Sequence, residues 1–275
     1  MEELVIEAGR SEAHYWRDLW RFRELFGFLA WRDILVRYKQ TAIGVAWAVI
    51  RPLLTILVGT GIFGSLAQLP ADGVPYAVMV CAGTLPWYFF SSALSESANS
   101  LVGNANLISK IYFPRLILPL SAVIVAFVDF AISLVILAGL MLWYGVAPTW
   151  RLLSLPVLTL LAFVSAMGPG LLFTALNVKY RDFRYIIPFV VQFGLFISPV
   201  FYSSTAIEAR YGEWGRLVCA INPVVGIIDG FRWAICGTTD LHWKSFMLSS
   251  ALSVVLLLVG ISYFRHTEKT FADVI

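Results

Sequence analysis

Arg37-Tyr38-Lys39-Gln40-Thr41-Ala42-Ile43-Gly44-Val45-Ala46-Trp47-Ala48-Val49-Ile50-Arg51-Pro52-Leu53 decides what kind of molecule this chain is. The stretch begins basic and water-compatible, turns apolar after Thr41, and then sets an arginine and a proline inside the apolar part. A Lys or Arg cluster against the start of a long apolar run anchors that end of a membrane span on the cytoplasmic side. An arginine within hydrocarbon is costly unless it is paired or faces a cavity. One stretch therefore supplies both an orientation and a candidate pathway.

Outward from it, the composition agrees. Of 275 residues, 59% are hydrophobic and 13% charged, whereas a soluble domain carries about a quarter charged residues. The chain is expected to be an all-α integral membrane protein. A net charge of +3 is too small to indicate nucleic acid as a partner. Residues 1–41 are charge-rich and lack the short apolar core of a signal peptide, so insertion is expected to rely on the spans themselves.

Runs with few or no charges mark six spans, at 42–67, 76–95, 116–146, 152–178, 185–207 and 245–264. Each reaches the roughly 20 residues a spanning helix needs. Segments 1–41, 96–115, 179–184 and 265–275 carry 14 Lys or Arg, against 5 in 68–75, 147–151 and 208–244. Both termini, including the tail 265–275, are therefore expected in the cytoplasm. Before the first span, Tyr15, Leu19, Phe22, Phe26 and Leu29 recur at helical spacing opposite Arg17, Arg21 and Glu24. That pattern predicts an amphipathic helix within 1–41, lying in the membrane interface with its apolar face in the lipid.

Between spans five and six, residues 208–244 make a long outer excursion with two apolar runs, Leu217 to Ile228 and Phe231 to Gly237. Runs of that size are too short to span and suit a re-entrant hairpin, an outer gate around Asn222, Pro223 and Arg232. An ordinary folded loop is the alternative. Two cytoplasmic connections are compact: a polar helix holding Asn104, Asn106 and Lys110 before Pro114, and the charged turn Tyr180-Arg181-Asp182-Phe183. Either can present itself to a soluble partner or simply join helices.

Catalytic signatures are lacking: there is no GxxxxGK[ST], HExxH or GxSxG, and no paired carboxylates in a plausible pocket. Cys81, Cys219 and Cys236 have no CxxC spacing, and His14, His242 and His266 are far apart, so no metal site is expected. Pairing of Cys219 with Cys236 is open if both face an oxidising compartment. The informative residues are the charges within the spans. Arg51 and Asp129 lie at nearly matching depths, about 15 and 20 Å in at 1.5 Å per residue. They are expected either to form an ion pair that holds the bundle or to leave Arg51 facing a polar passage. Pro86-Trp87-Tyr88-Phe89-Phe90 puts aromatics at mid-span. They either pack between helices or, with Trp47, Phe63, Phe201 and Tyr202, form a flat-faced track on which sugar rings slide.

Taken in order, Arg37-Tyr38-Lys39 with Ile43-Gly44, Trp47 and Pro52, then Phe113-Pro114-Arg115, then Asn177 to Phe183, then Ile221-Asn222-Pro223 with Arg232 and Gly237, resemble a known family. It is the permease subunit of bacterial type-2 ABC exporters for polysaccharides, the O-antigen and lipopolysaccharide export branch above all. The resemblance implies a homodimer in the inner membrane with a channel at the subunit interface, working with two copies of a separate ATP-binding subunit. ATP and Mg would be bound by that subunit, with no cofactor in this chain. Asn99 to Lys110 and Tyr180 to Phe183 would then contact the ATPases, membrane lipids would surround the spans, and a lipid-linked polysaccharide would be the cargo. Arg51 has no place in the family pattern. Capsule, teichoic acid or a hydrophobic small molecule are alternative cargoes for the same fold. An integral-membrane glycosyltransferase is a rival of another class, and it lacks a suitable carboxylate or histidine constellation.

Overall fold

A computed structural model describes residues 15–39, 45–71, 73–237 and 240–271. The acidic stretch 1–10, the entry into the first span at Ala42 to Gly44 and the end of the tail lie outside them. The chain begins with α1 (Tyr15–Arg21) and α2 (Arg23–Lys39), then α3 (Val45–Gly59), which continues as a π-helix over Thr60–Leu66. Next come α4 (Tyr76–Gly103), the single turn α5 (Ala105–Ile108) and α6 (Ile117–Tyr144). A short 3₁₀ turn at Trp150–Ser154 leads into α7 (Leu155–Lys179), followed by α8 (Phe183–Ile197), α9 (Ser204–Cys219), α10 (Pro223–Cys236) and α11 (Trp243–Glu268). Among the described residues five helices are long and apolar enough to cross a membrane, and a sixth crossing appears if α9 and α10, bent by 118°, count as one.

α4 is the axis of the bundle, buried along nearly its whole length and packed by α6, α7 and α10. Its sequence explains why: Ala77, Ala82, Gly83, Ala93, Ser97 and Ala98 let neighbouring backbones approach closely, the usual basis of helix association in membranes. Thr174 Oγ1 donates to the Ser97 carbonyl at 2.9 Å and Asn177 Nδ2 to the Ala98 carbonyl at 2.9 Å, fastening α7 to it. α7 and α11 cross at Gly168 and Gly260, where a Cβ on Gly260 would lie 2.2 Å from the Gly168 carbonyl oxygen.

The fifth span differs from expectation. Instead of a helix over 185–207 there is the 15-residue α8, about 22 Å long and short of the roughly 30 Å hydrocarbon core. Pro199 is the reason. It removes a backbone donor and forces Ser198 into an extended conformation (ψ 145°). The chain stays non-helical to Ser203, and the hairpin starts at Ser204. α10 is then inserted among α4, α7 and α11 with most of its residues buried, and its sharp bend against α9 suits a broken span as well as a re-entrant loop.

The N-terminal helix is also two pieces with its faces reassigned. Tyr15 and Leu29 are buried, and Leu19, Phe22 and Phe26 pack on the core, while Trp16, Trp20, Phe28 and Trp31 are exposed. The stripe expected to face lipid thus faces protein, because it meets α6 and the end of α11, and the tryptophans take the outward side. Tyr15 sits under the Arg265 guanidinium, 4.8 Å from ring centre, and Arg115 binds Glu268 through its backbone N–H at 2.8 Å. Both described ends of the chain therefore lie at one end of the bundle, with the α4–α6 and α7–α8 connections.

Candidate functional site

α2, α3, α4 and α6 enclose a cavity of about 480 Å³. Trp47, Ala48, Pro52, Leu85, Phe89, Ala126 and Phe130 give it apolar walls, and Arg37, Tyr38, Arg51, Tyr88, Ser92, Asp129 and Ser133 give it a polar band. The cavity thus gathers Trp47, Arg51, Tyr88, Phe89 and Asp129 from the residues singled out in the sequence. Four others fall elsewhere. Trp87 is buried against Phe90 and above Gly194 of α8, where a Cβ would meet its ring at 2.6 Å. Phe63 stacks on Phe201 with ring centres 4.9 Å apart, next to Gly59. Tyr202 donates its hydroxyl to the Ile197 carbonyl at 2.9 Å. The aromatics do not form one row within the chain. Mid-span spacing put them at similar depth, but helical rotation separates Trp87 from Tyr88 by about 100°.

The expected pair of Arg51 with Asp129 is not formed. Asp129 binds Arg37 Nη2 at 2.6 Å and accepts a hydrogen bond from the Tyr38 hydroxyl. Arg37 also reaches the exposed Glu96 of α4 at 3.0 Å, and Arg32 reaches Asn104 at 2.9 Å. These contacts arise because α2 leans along α6 and climbs from the level of Asn104 toward the middle of the bundle. In the sequence Arg37 and Tyr38 mark the membrane interface and the start of the family motif, with no sign of these partners. The uninterrupted helical run from Arg23 to Lys39 was the signal that they travel further.

Arg51 itself rests over the Tyr88 ring, 5.3 Å from its centre. Thr55 fixes that ring: its hydroxyl donates to the Arg51 carbonyl at 3.1 Å and hydrogen-bonds the Tyr88 hydroxyl. Among the described residues no carboxylate lies within ion-pair distance of Arg51. Among the described residues Asp129 is the one carboxylate lining the cavity, and it is already held by Arg37 and Tyr38.

At the hairpin end, Asn222 caps α10 by accepting from Val224 N at 3.1 Å and donates to Ser198 Oγ at 2.9 Å. Pro223, at the first turn, suits that cap. Arg232 is buried and donates to the carbonyls of Val200 and Tyr202, at 2.8 Å each. α10 thereby clamps the non-helical segment 198–203 onto Gly83 of α4, whose Cβ, if present, would lie 2.8 Å from Arg232 Nη2. A further cluster escaped the sequence reading. Across the α9–α10 bend, Arg216 bonds Glu208 at 2.6 Å and Asp229 at 3.5 Å, and Ser204 donates to Asp229 at 2.7 Å. Two opposite charges bracketing the apolar run Leu217 to Ile228, 13 residues apart, were the available sign.

At the opposite end, Asn106, Lys110, Tyr180, Arg181 and Asp182 are exposed, and Phe183 packs on Phe173. Asn104 is half-buried, with its oxygen taken by Arg32. Asn177 ties the end of α7 to α4 through Ala98 and Asn99, so both connections leave the bundle at the same end. Cys81, Cys219 and Cys236 are all free thiols.

Comparison with known proteins adds a second line. A family model described as ABC-2 type transporter matches residues 24–236. The "O-antigen export system permease protein RfbA" of Myxococcus xanthus is 28% identical over 94% of this chain and 97% of its own length. A protein of the same description from Klebsiella pneumoniae is 26% identical over 89% and 92%. The "Polysialic acid transport protein KpsM" of Escherichia coli is 24% identical over 86% and 91%.

Proposed function

Since the chain belongs to the ABC-2 type transporter family, we propose that it is the permease subunit of an ATP-driven exporter that moves a lipid-linked polysaccharide of O-antigen type out of the bacterial cytoplasm. It acts as a transporter component and not as an enzyme. Two copies in the inner membrane, termini in the cytoplasm, would enclose the channel, and two copies of a separate ATP-binding subunit would bind ATP and Mg. The observation that carries this reading is the near end-to-end likeness to an O-antigen export permease, over 94% of this chain and 97% of that protein. The exposure of Asn106, Lys110, Arg181 and Asp182 at one end of the bundle supports the ATPase contact. The likeness to KpsM supports capsule as the second cargo.

In this mechanism, closure of the ATPases pushes on α5 and on Tyr180 to Phe183. Asn177 carries the push into α4, and the Arg32–Asn104 bond carries it into α2 and on to Arg37, Asp129 and the cavity. Replacing Arg181 and Asp182 with alanine should leave insertion intact while ATP hydrolysis proceeds without export; undiminished export in that variant would refute the contact. Deleting the gene and identifying the lipid-linked glycan retained inside the cell decides the cargo.

A further inference from the structure

The cavity between α2, α3, α4 and α6 holds a cation without a matching anion. Arg51 faces it from α3, bounded by a tyrosine ring and not by a carboxylate. A guanidinium at this depth is stable only where an anion or a wet cavity compensates it. The neighbouring Asp129 is unsuited to that role, being engaged by Arg37 and Tyr38. Glu96 binds Arg37 from outside the lining.

We propose that this cavity is a binding site for the phosphate head of an anionic lipid, with Arg51 as its principal ligand. The guanidinium offers a planar fork of donors matched to phosphate oxygens. The Tyr88 ring, itself tethered by Thr55, lies against that fork, and the fork lines the cavity. Ser92 adds a hydroxyl to the polar band. Beyond the band, Trp47, Leu85, Phe89 and Phe130 provide an apolar wall for the first carbons of the chain. The volume of about 480 Å³ exceeds what a phosphate group alone would fill, so the site has room for a head with the start of its chain. The site stands on this geometry, and only its use by cargo rests on the export reading. Two sources offer the same chemistry, the lipid carrier of the polysaccharide and the resident phospholipid of the membrane.

The test uses the full chain in zwitterionic nanodiscs with radiolabelled farnesyl phosphate. The wild type should bind it saturably, Arg51→Gln should weaken binding about tenfold or more, and Arg51→Lys should fall between the two, since an ammonium keeps the charge without the fork. Unlabelled farnesol and inorganic phosphate should compete poorly. Equal binding by wild type and Arg51→Gln, or competition by farnesol as strong as by farnesyl phosphate, would overturn the proposal. Phosphatidylglycerol separates the sources: strong competition assigns the site to membrane lipid, and weak competition assigns it to the carrier. Thermal unfolding of Arg51→Gln should match the wild type, which excludes misfolding as the cause. Loss of farnesyl phosphate binding with full export would retain the site and remove it from the transport path.

Discussion

Arg232 and Arg51 are both arginines within apolar helices, and the structure gives them opposite tasks. Arg232 is buried, and its guanidinium is taken up by two main-chain carbonyls of the segment it holds down. Arg51 lies open to a cavity, against an aromatic face, with no carboxylate of the described residues within ion-pair distance. An intramembrane charge satisfied by backbone carbonyls is part of the scaffold; one left facing a cavity is a place for a ligand. Residue type and depth do not separate the two cases, and the surroundings do.

Four substitutions test that contrast, and the largest effect belongs to the scaffold. Trp87→Ala should cost about 3 kcal/mol or more, as large aromatic deletions in packed sites do, and should lower protein level and export together in membranes from expressing cells. Arg232→Met should cost about 3 kcal/mol by loss of two charged hydrogen bonds, read as a lower unfolding temperature in detergent, with protease cleavage appearing in segment 198–203. Asp129→Asn should cost about 1 kcal/mol, since its partner Arg37 is partly solvated, and should shift α2 as seen by spin-label distances. Arg51→Gln should change stability by less than about 0.5 kcal/mol, measured by the same melting curves, while it slows export. If Arg51→Gln destabilised the protein as much as Arg232→Met, the distinction between the two arginines would collapse.

Much of the architecture was legible because hydropathy and charge act along the chain. Runs such as 116–146 and 152–178 can only be satisfied by spanning helices, and α6 and α7 occupy nearly those bounds. The same one-dimensional logic overran Pro199, since Val200, Phe201 and Tyr202 continue the apolar pattern after the helix has ended. It also paired Arg51 with Asp129 by depth alone. Depth is one coordinate; the direction a side chain faces around its helix and the lean of α2 are the others, and both are set by packing. Asn222 was recognised as part of the hairpin from Asn-Pro in an apolar run, but its bond to Ser198 joins segments 24 residues apart, beyond the reach of local pattern. The outward tryptophans of α1 and α2 were equally out of view, because two apolar faces on one helix leave the choice of core to the neighbours.

The π-helix at Thr60–Leu66 has a consequence for how this span tolerates change in length. Such a turn accommodates surplus backbone within an otherwise α-helical rod. Here Gly61 and Gly64 line it, while Phe63 is fixed by its stack on Phe201. Deleting Gly61 should therefore tighten the turn to α geometry and leave Arg51 below it on its original face. A one-residue deletion within α4 or α7 would instead rotate every later side chain of a packed helix. Within this bundle, residues 60–66 act as an expansion joint, the place where surplus length in the first span is taken up while Phe63 keeps its stack on Phe201.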